Sequence, residues 1–297
     1  MSSCLLLEAA KSTFSFDPQI VFMRISIKNS VVFALCLGCV SLGSVFAARR
    51  NHISIRGNLI ALSDLFSRTD SIATPFGPVE ARLVAHAGGA VAGKIYTNSR
   101  EALDQHYALG FRVFELDFDW TSDGKLVLVH DWERTSLQFC VAPHVFSDAE
   151  YTGRKRCDGL TQMTFDDLYQ WLHRHADALV VTDTKGSNER LLSEIHDRWP
   201  DIAPQLIVQI YRGSELGGAR KIKPRAVWFT VYKTSYPAWA LKQVKGVDAI
   251  VIPIAQYRQY YDPALMARLR CYVHPVASDQ AVQTIQSLPG IYGAYVD

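Results

Sequence analysis

From residue 82 onward the chain alternates between two hydrophobic periods. Short β-branched runs predict strands at Arg82–His86, Val113–Asp119, Lys125–His130, Ala178–Thr184, Gln205–Tyr211, Ala226–Val231, Ala249–Ile254 and Cys271–Val276. Amphipathic stretches between them predict helices at Ser99–Leu109, Thr164–His175, Asn188–Arg198, Tyr236–Lys245, Pro263–Arg270 and Ser278–Leu288. Several strands, such as Leu206-Ile-Val-Gln-Ile210 and Ile250-Val-Ile-Pro-Ile254, are almost continuously apolar. Parallel strands covered on both faces read this way. Eight strand candidates in about 250 residues match the size of a (β/α)8 TIM barrel. An open doubly wound sheet is the alternative, but no Gly-x-Gly-x-x-Gly follows a strand. No internal repeat is visible, and residues 132–160 form one long irregular segment of the kind that often covers a site.

The N-terminus follows a different pattern. Val31 to Ala48 is an apolar run broken only by Gly and Ser, preceded by Arg24 and Lys28 and followed by Arg49 and Arg50. With the small residue of Val45-Phe-Ala47 it has the layout of a cleaved export signal, for which Met23 would be an ordinary start. Residues 1–22 then carry no pattern of their own. The alternative is an uncleaved anchor at the short limit for a membrane span. Cys36-Leu-Gly38 makes a poor lipoprotein motif before Cys39. The expected organisation is a signal or anchor over 1–48, an extension over 49–81 and a single barrel domain over 82–297. The domain is expected in the periplasm or outside the cell, or else tethered there, with membrane contact through the N-terminal segment.

Composition narrows the function. Of 297 residues, 48% are hydrophobic and 20% charged, so a sizeable core is affordable and disorder is excluded. Lys plus Arg minus Asp plus Glu is 31 − 29 = +2. Such a balance gives no field to draw nucleic acid, so any preference for phosphate must be local. Outside the signal region the chain keeps Cys140, Cys157 and Cys271. Cys140 and Cys157 flank one loop-like stretch, and export makes a disulfide between them the expected pairing, against three free thiols. Cys271 opens an apolar strand and reads as a buried thiol.

The chemistry gathers at strand ends. In Val113-Phe-Glu-Leu-Asp-Phe-Asp119 the acids Glu115, Asp117 and Asp119 share one face, with Phe114, Leu116 and Phe118 on the other. Neighbouring carboxylates on one strand face lie about 6–7 Å apart and repel by roughly 2–3 kcal/mol at an effective dielectric near 20. An interior face of this kind calls for a compensating cation, and hard oxygen ligands point to Mg²⁺ or Ca²⁺. Val84-Ala-His86 and Leu128-Val-His130 each end a strand on an imidazole, and Val180-Val-Thr-Asp-Thr-Lys185 places Asp183 and Lys185 on one face. Barrel active sites are built at such C-terminal strand ends. Two imidazoles, several carboxylates and an ammonium form an inventory suited to phosphoryl transfer.

The ordered set His86-Ala-Gly-Gly, Asn98-Ser, Glu115-Leu-Asp117, Thr121-Ser-Asp-Gly124 and His130-Asp131 resembles the glycerophosphodiester phosphodiesterase family, within the phosphatidylinositol-phospholipase-C-like phosphodiesterases. The match is dense from 84 to 132 and continues through Asp183-Thr-Lys185 to Gly293-Ala-Tyr-Val-Asp297. The resemblance implies a metal-dependent phosphodiester hydrolase with His86 and His130 as catalytic acid and base. It implies that Glu115, Asp117 and Asp183 hold one divalent cation, and that Lys185 and Asn98 contact a small-molecule or lipid-derived phosphodiester. Ala87 stands where the family usually has arginine, and Tyr96-Thr-Asn-Ser99 where it has Pro-Glu-Asn-Thr. A phospholipase-D-like or sphingomyelinase-like lyase and a non-catalytic binding barrel are the alternatives.

Other features read as structural. His173 and His175 lie on different faces of a helix, and Arg154-Lys155-Arg156 reads as a solvated loop tip. Gly88, Gly89 and Gly93 read as a tight turn after a strand, and Trp228, Trp239 and Tyr232 as core.

Overall fold

The computed structural model describes residues 82–232, 241 and 244–297. Strands run β1 (Leu83–Ala85), β2 (Val113–Trp120), β3 (Leu126–Leu128), β4 (Leu179–Thr184), β5 (Leu206–Ile210), β6 (Ala226–Thr230), β7 (Ala249–Pro253), β8 (Arg270–Val276) and β9 (Ile291–Val296). The α-helices described are α1 (Arg100–Ala108), α2 (Trp132–Gln138), α3 (Asp148–Gly153), α4 (Phe165–Arg174), α5 (Asn188–Arg198), α6 (Leu216–Lys221), α7 (Tyr257–Tyr260), α8 (Pro263–Arg268) and α9 (Ala281–Ser287). The expected signal or anchor segment, Cys4, Cys36, Cys39, Trp239 and most of the helix expected over Tyr236–Lys245 lie outside the described residues. No helix among the described residues is long and apolar enough to cross a membrane.

All strands but β3 are parallel and follow the order β1-β9-β8-β7-β6-β5-β4-β2, with β1 pairing back to β2 to close a (β/α)8 barrel. The expected number of strands was right, but one member was not. Lys125–His130 does not enter the barrel: β3 returns antiparallel along β2, pairing Phe118 with Leu128 and Trp120 with Leu126. The turn explains this. Thr121-Ser-Asp-Gly124 closes a tight hairpin in which Thr121 N–H donates to the Lys125 carbonyl at 2.9 Å and Gly124 takes a φ of 86°. Asp-Gly between apolar runs is a hairpin signal, and glycine is the residue for a left-handed turn position.

The eighth barrel strand is β9, an apolar run interrupted by Gly293 that gave no clear strand pattern. Gly293 is required there. A Cβ at that position would meet the Arg82 carbonyl oxygen at 2.3 Å and the Tyr272 ring at 2.6 Å, so only glycine lets β8 and β9 close against β1.

Strand alternation sorts the side chains into layers. Outward residues such as Phe114, Leu116, Phe118, Val180, Val208 and Ile250 join the helices in the main core. Inward, the lower barrel is filled by Val84, Val113, Val181, Ile207, Trp228, Val251, Tyr272 and Tyr295. Two residues further along the same strands, the inward positions turn polar: His86, Glu115, Asp183, Gln209 and His274. The helices start on polar caps. Ser99 caps α1, Ser187 caps α5, and Thr164 with Asp167 forms a capping box on α4.

Residues 132–160 are not irregular. They fold into α2 and α3 around a small core of Val127, Val129, Phe139, Phe146 and Tyr151. Cys140 and Cys157 are joined, with their Cα atoms 6.0 Å apart. Cys271 is a buried thiol whose pKa burial pushes up to about 12. Arg156 is not a solvated loop residue. It is buried, with its guanidinium forked onto Asp158 at 2.6 and 3.0 Å and bonded to the Thr97 carbonyl at 2.9 Å. Its neighbours Arg154 and Lys155 are exposed.

The disulfide spans a sequence separation of 17 residues. Replacing both Cys140 and Cys157 by serine is expected to lower the unfolding free energy by about 3 kcal/mol. Urea titration of the two proteins checks this, and coincident curves would refute it.

Candidate active site

The three carboxylates predicted to hold a cation converge. Asp117 and Asp183 occupy the same level of neighbouring strands, paired in register across β2 and β4, and Glu115 lies one inward step below Asp117. Ligand oxygens of all three lie within 4.8 Å of one another. Their relative exposures are 1%, 0% and 7% for Glu115, Asp117 and Asp183, so water does little to screen them. At such a distance two like charges repel by about 3 kcal/mol even at an effective dielectric near 20. Burial, and then the charge of Asp117, push the Glu115 carboxyl well above its ordinary range. Asp119, on the same strand face, stands apart at the rim, where it accepts bonds from the Trp120 backbone and the Trp132 indole.

Cations and donors surround the cluster. The Lys185 ammonium lies 2.7 Å from Asp117 Oδ1 and 2.6 Å from Asp183 Oδ2. Burial works against its charge, but Asp117 and Asp183 outweigh burial and hold the ammonium above its usual pKa. Asp183 also accepts from the hydroxyls of Tyr211 and Tyr232, the latter at 3.1 and 3.0 Å to its two oxygens. Backbone N–H of Ala87 donates to Glu115 Oε2 at 2.8 Å.

Asn98 is buried beneath the cleft rather than lining it. Its amide nitrogen donates to Asp117 Oδ2 at 2.9 Å, and its amide oxygen accepts from the Asp117 backbone at 3.0 Å. Both ends of the amide thus fix one carboxylate.

The two strand-end histidines face the same cleft, each oriented by a carboxylate. His86 Nδ1 is 2.6 Å from Asp297 Oδ1, and its Nε2 is 3.8 Å from Glu115 Oε2. Burial pulls the His86 pKa down, but the Asp297 bond and the charges of Glu115 and Asp117 overcome it and raise the value to about 9. His130 Nδ1 is 2.6 Å from Asp131 Oδ2, while Asp131 Oδ1 caps α2 by accepting from the Arg134 N–H, in its first turn, at 2.6 Å. Burial pushes Asp131 up, but that helix N–H and His130 outweigh it and leave the carboxyl below its ordinary pKa.

The cleft has a volume of about 210 Å³. His86, Glu115, His130, Asp183 and Lys185 line one side, with Tyr96, Gln209, Tyr232, His274 and Tyr295 around them. Tyr232 is therefore cleft, not core: it lies two residues past the end of β6, with its hydroxyl on Asp183. Trp228, lower on the same strand, is core as expected. His274 stays neutral: burial, then the nearby His86 cation, lower its pKa to about 4. Asp297, Tyr211, Tyr96 and His274 were not singled out as site residues from the sequence. The alternation Val84/His86, Tyr272/His274 and Tyr295/Asp297 along inward faces is the signal that could have found two of them.

The geometry invites comparison with known proteins. No protein-family model matches the chain. Solved structures with the same fold include the glycerophosphodiester phosphodiesterase of Thermotoga maritima, at 16% identity and a TM-score of 0.54, covering 72% of this chain and 93% of that one. The enzyme of that name from Parabacteroides distasonis has 14% identity and a TM-score of 0.54, over 73% of this chain and 92% of that one. A phosphodiesterase of Oleispira antarctica, in complex with the product sn-glycerol-3-phosphate, has 14% identity and a TM-score of 0.53, over 72% and 92%. The barrel is thus the fold of the glycerophosphodiester phosphodiesterases, the fold that the sequence motifs implied.

Asn98→Ala removes two buried bonds that orient Asp117. Partners of this kind typically contribute 10–100-fold to cation affinity. Calorimetric titration with Mg²⁺ and Ca²⁺ is expected to show weakening of about that size, and unchanged affinity for both ions would contradict the role.

Proposed function

We propose that the protein is a divalent-cation-dependent phosphodiester hydrolase of the glycerophosphodiester phosphodiesterase type, exported from the cytoplasm, with His86 and His130 as its acid–base pair. The observation that carries the reading is the convergence, in one cleft, of two carboxylate-oriented imidazoles and a buried group of three carboxylates. Two of the same-fold proteins above are glycerophosphodiester phosphodiesterases by name, and the third holds sn-glycerol-3-phosphate as its product, which supports this substrate class. The disulfide between Cys140 and Cys157 supports export to an oxidising compartment.

A cation fits the donor set. Glu115 Oε1 is buried with no hydrogen-bond partner among the described residues, and it belongs to an all-oxygen group with excess negative charge. Hard oxygen donors suit Mg²⁺ or Ca²⁺. Glu115, Asp117 and Asp183 would hold the ion, which when bound supplies positive charge for the phosphate oxygens. Lys185 adds a second positive charge on the same wall. With their Nδ1 atoms tied to Asp297 and Asp131, His86 and His130 keep Nε2 for proton transfer. One histidine takes the proton of the attacking hydroxyl, and the other protonates the leaving alkoxide. The disulfide-tied segment after His130 also suits a lyase on this barrel, in which a neighbouring substrate hydroxyl attacks and a cyclic phosphate forms first. Phosphorus NMR of the reaction distinguishes the two by whether that cyclic species appears.

His86→Ala and His130→Ala are each expected to lose about 10²–10⁴-fold in turnover while still binding the cation. Near-parental turnover in either variant removes that histidine from the mechanism. Glu115→Gln alters charge but hardly volume, and is expected to abolish hydrolysis in a folded protein. Exhaustive chelation of the parent should do the same, and full activity after it would exclude a cation requirement.

A further inference from the structure

We propose that Tyr96 is a positioning residue that sets the ring planes of both His86 and His130, held by Arg134 and by the disulfide-tied segment. The inference rests on reading the two histidines as the acid–base pair.

Each imidazole is anchored through Nδ1 to one carboxylate, at 2.6 Å in both cases. A single hydrogen bond fixes a point on a ring and leaves the ring free to rock about it. The direction of Nε2, from which the proton moves, depends on that rocking. The Tyr96 ring meets both imidazoles edge-on, with centroids 4.8 Å from His86 at 77° and 4.7 Å from His130 at 69°. Edge-to-face contact has a preferred orientation. One phenol therefore fixes the planes of the two rings together. Its hydroxyl has no partner among the described residues, so the ring does this.

Tyr96 is itself over-determined. The Arg134 guanidinium stacks on it with Cζ 4.2 Å from the ring centroid, and Arg134 Nε lies 3.7 Å from Asp131 Oδ2, the oxygen that holds His130. His130, Asp131, Arg134 and Tyr96 thus close a ring of contacts. The backbone is held in conformations that non-glycine residues seldom adopt, with φ of 56° at Tyr96 and 45° at Asn98. Gln138 donates to the Tyr96 carbonyl at 3.3 Å, Arg156 to the Thr97 carbonyl at 2.9 Å, and Asn98 N–H to the Ala87 carbonyl at 3.1 Å. Gln138 and Arg156 lie beside the two ends of the disulfide, where Cys157 N–H donates to the Gln138 carbonyl at 2.9 Å. The cross-link reaches the cleft through Tyr96.

The test compares Tyr96→Phe with Tyr96→Ala on bis(p-nitrophenyl) phosphate. Tyr96→Phe keeps the ring and is expected to stay within about threefold of the parent, while Tyr96→Ala loses kcat by about 10²-fold with KM within about threefold. Arg134→Met should lose part of kcat, and Arg134→Lys should restore most of it. Proton NMR supplies a readout independent of activity. The imidazole resonances that vanish in His86→Ala and His130→Ala should keep their ring-current positions in Tyr96→Phe, and both should move in Tyr96→Ala. Parental kcat in Tyr96→Ala overturns the proposal, as does equal damage in Tyr96→Phe, which would give the role to the hydroxyl. If the parent cleaves no phosphodiester, the proposed function fails by itself, and the resonances still decide whether Tyr96 sets both rings.

Discussion

Three carboxylates buried within reach of one another are the constraint around which the rest of the site is arranged. Left alone, their repulsion would unfold or protonate the upper barrel. Lys185 bridges two of them, His86 and the Ala87 N–H face the third, Tyr211 and Tyr232 donate to Asp183, and Asn98 donates to Asp117. Even so, one oxygen of Glu115 has no partner among the described residues. A cluster fixed this firmly, yet short of positive charge, is preorganised for a cation. Rigidity matters because a site that reorganises on binding loses both affinity and orientation.

The barrel alone does not complete the cleft. Had Lys125–His130 continued as a parallel strand, its histidine would have stood at the barrel rim with the other strand ends. The antiparallel return instead carries the chain back down beside β2, so that Val129 N–H donates to the Asp117 carbonyl at 3.1 Å and His130 follows at the level of the acids. Asp131 then serves two purposes with its two oxygens, starting α2 and orienting His130. The α2–α3 insertion, closed by the disulfide and its own small core, supports the same wall from outside.

Ala87, directly after the first cleft histidine, bears on the site through its backbone. Ala87 adopts a left-handed conformation with φ of 48°, and its N–H points at Glu115. A small side chain leaves the mouth of the cleft to Tyr96, backed by Arg134. Arg134, from the segment after His130, stacks its guanidinium on the Tyr96 ring.

Period and composition determined much by themselves. Continuous apolar runs mark parallel strands because both faces are buried, and alternation along Val113–Asp119 placed Glu115 and Asp117 together inside because strand side chains have a period of two. The helix starts near Ser99, Thr164 and Asn188 were local and therefore legible, and in the structure Ser99, Thr164 and Ser187 cap them. The eighth strand was not legible, since Gly293 weakens its pattern and is explained only by the Arg82 and Tyr272 atoms packed against it. Nor were the partners from distant strands: Asp297 meets His86 across 211 residues, and Tyr232 meets Asp183 across 49. Arg156 sat in a basic run that resembles a solvated loop, and its burial depends on where Asp158 and Thr97 fall. Sequence periodicity fixes which face a side chain takes on its own strand. Only closure of the barrel decides which faces meet, because those meetings depend on strand order and register rather than on any local pattern.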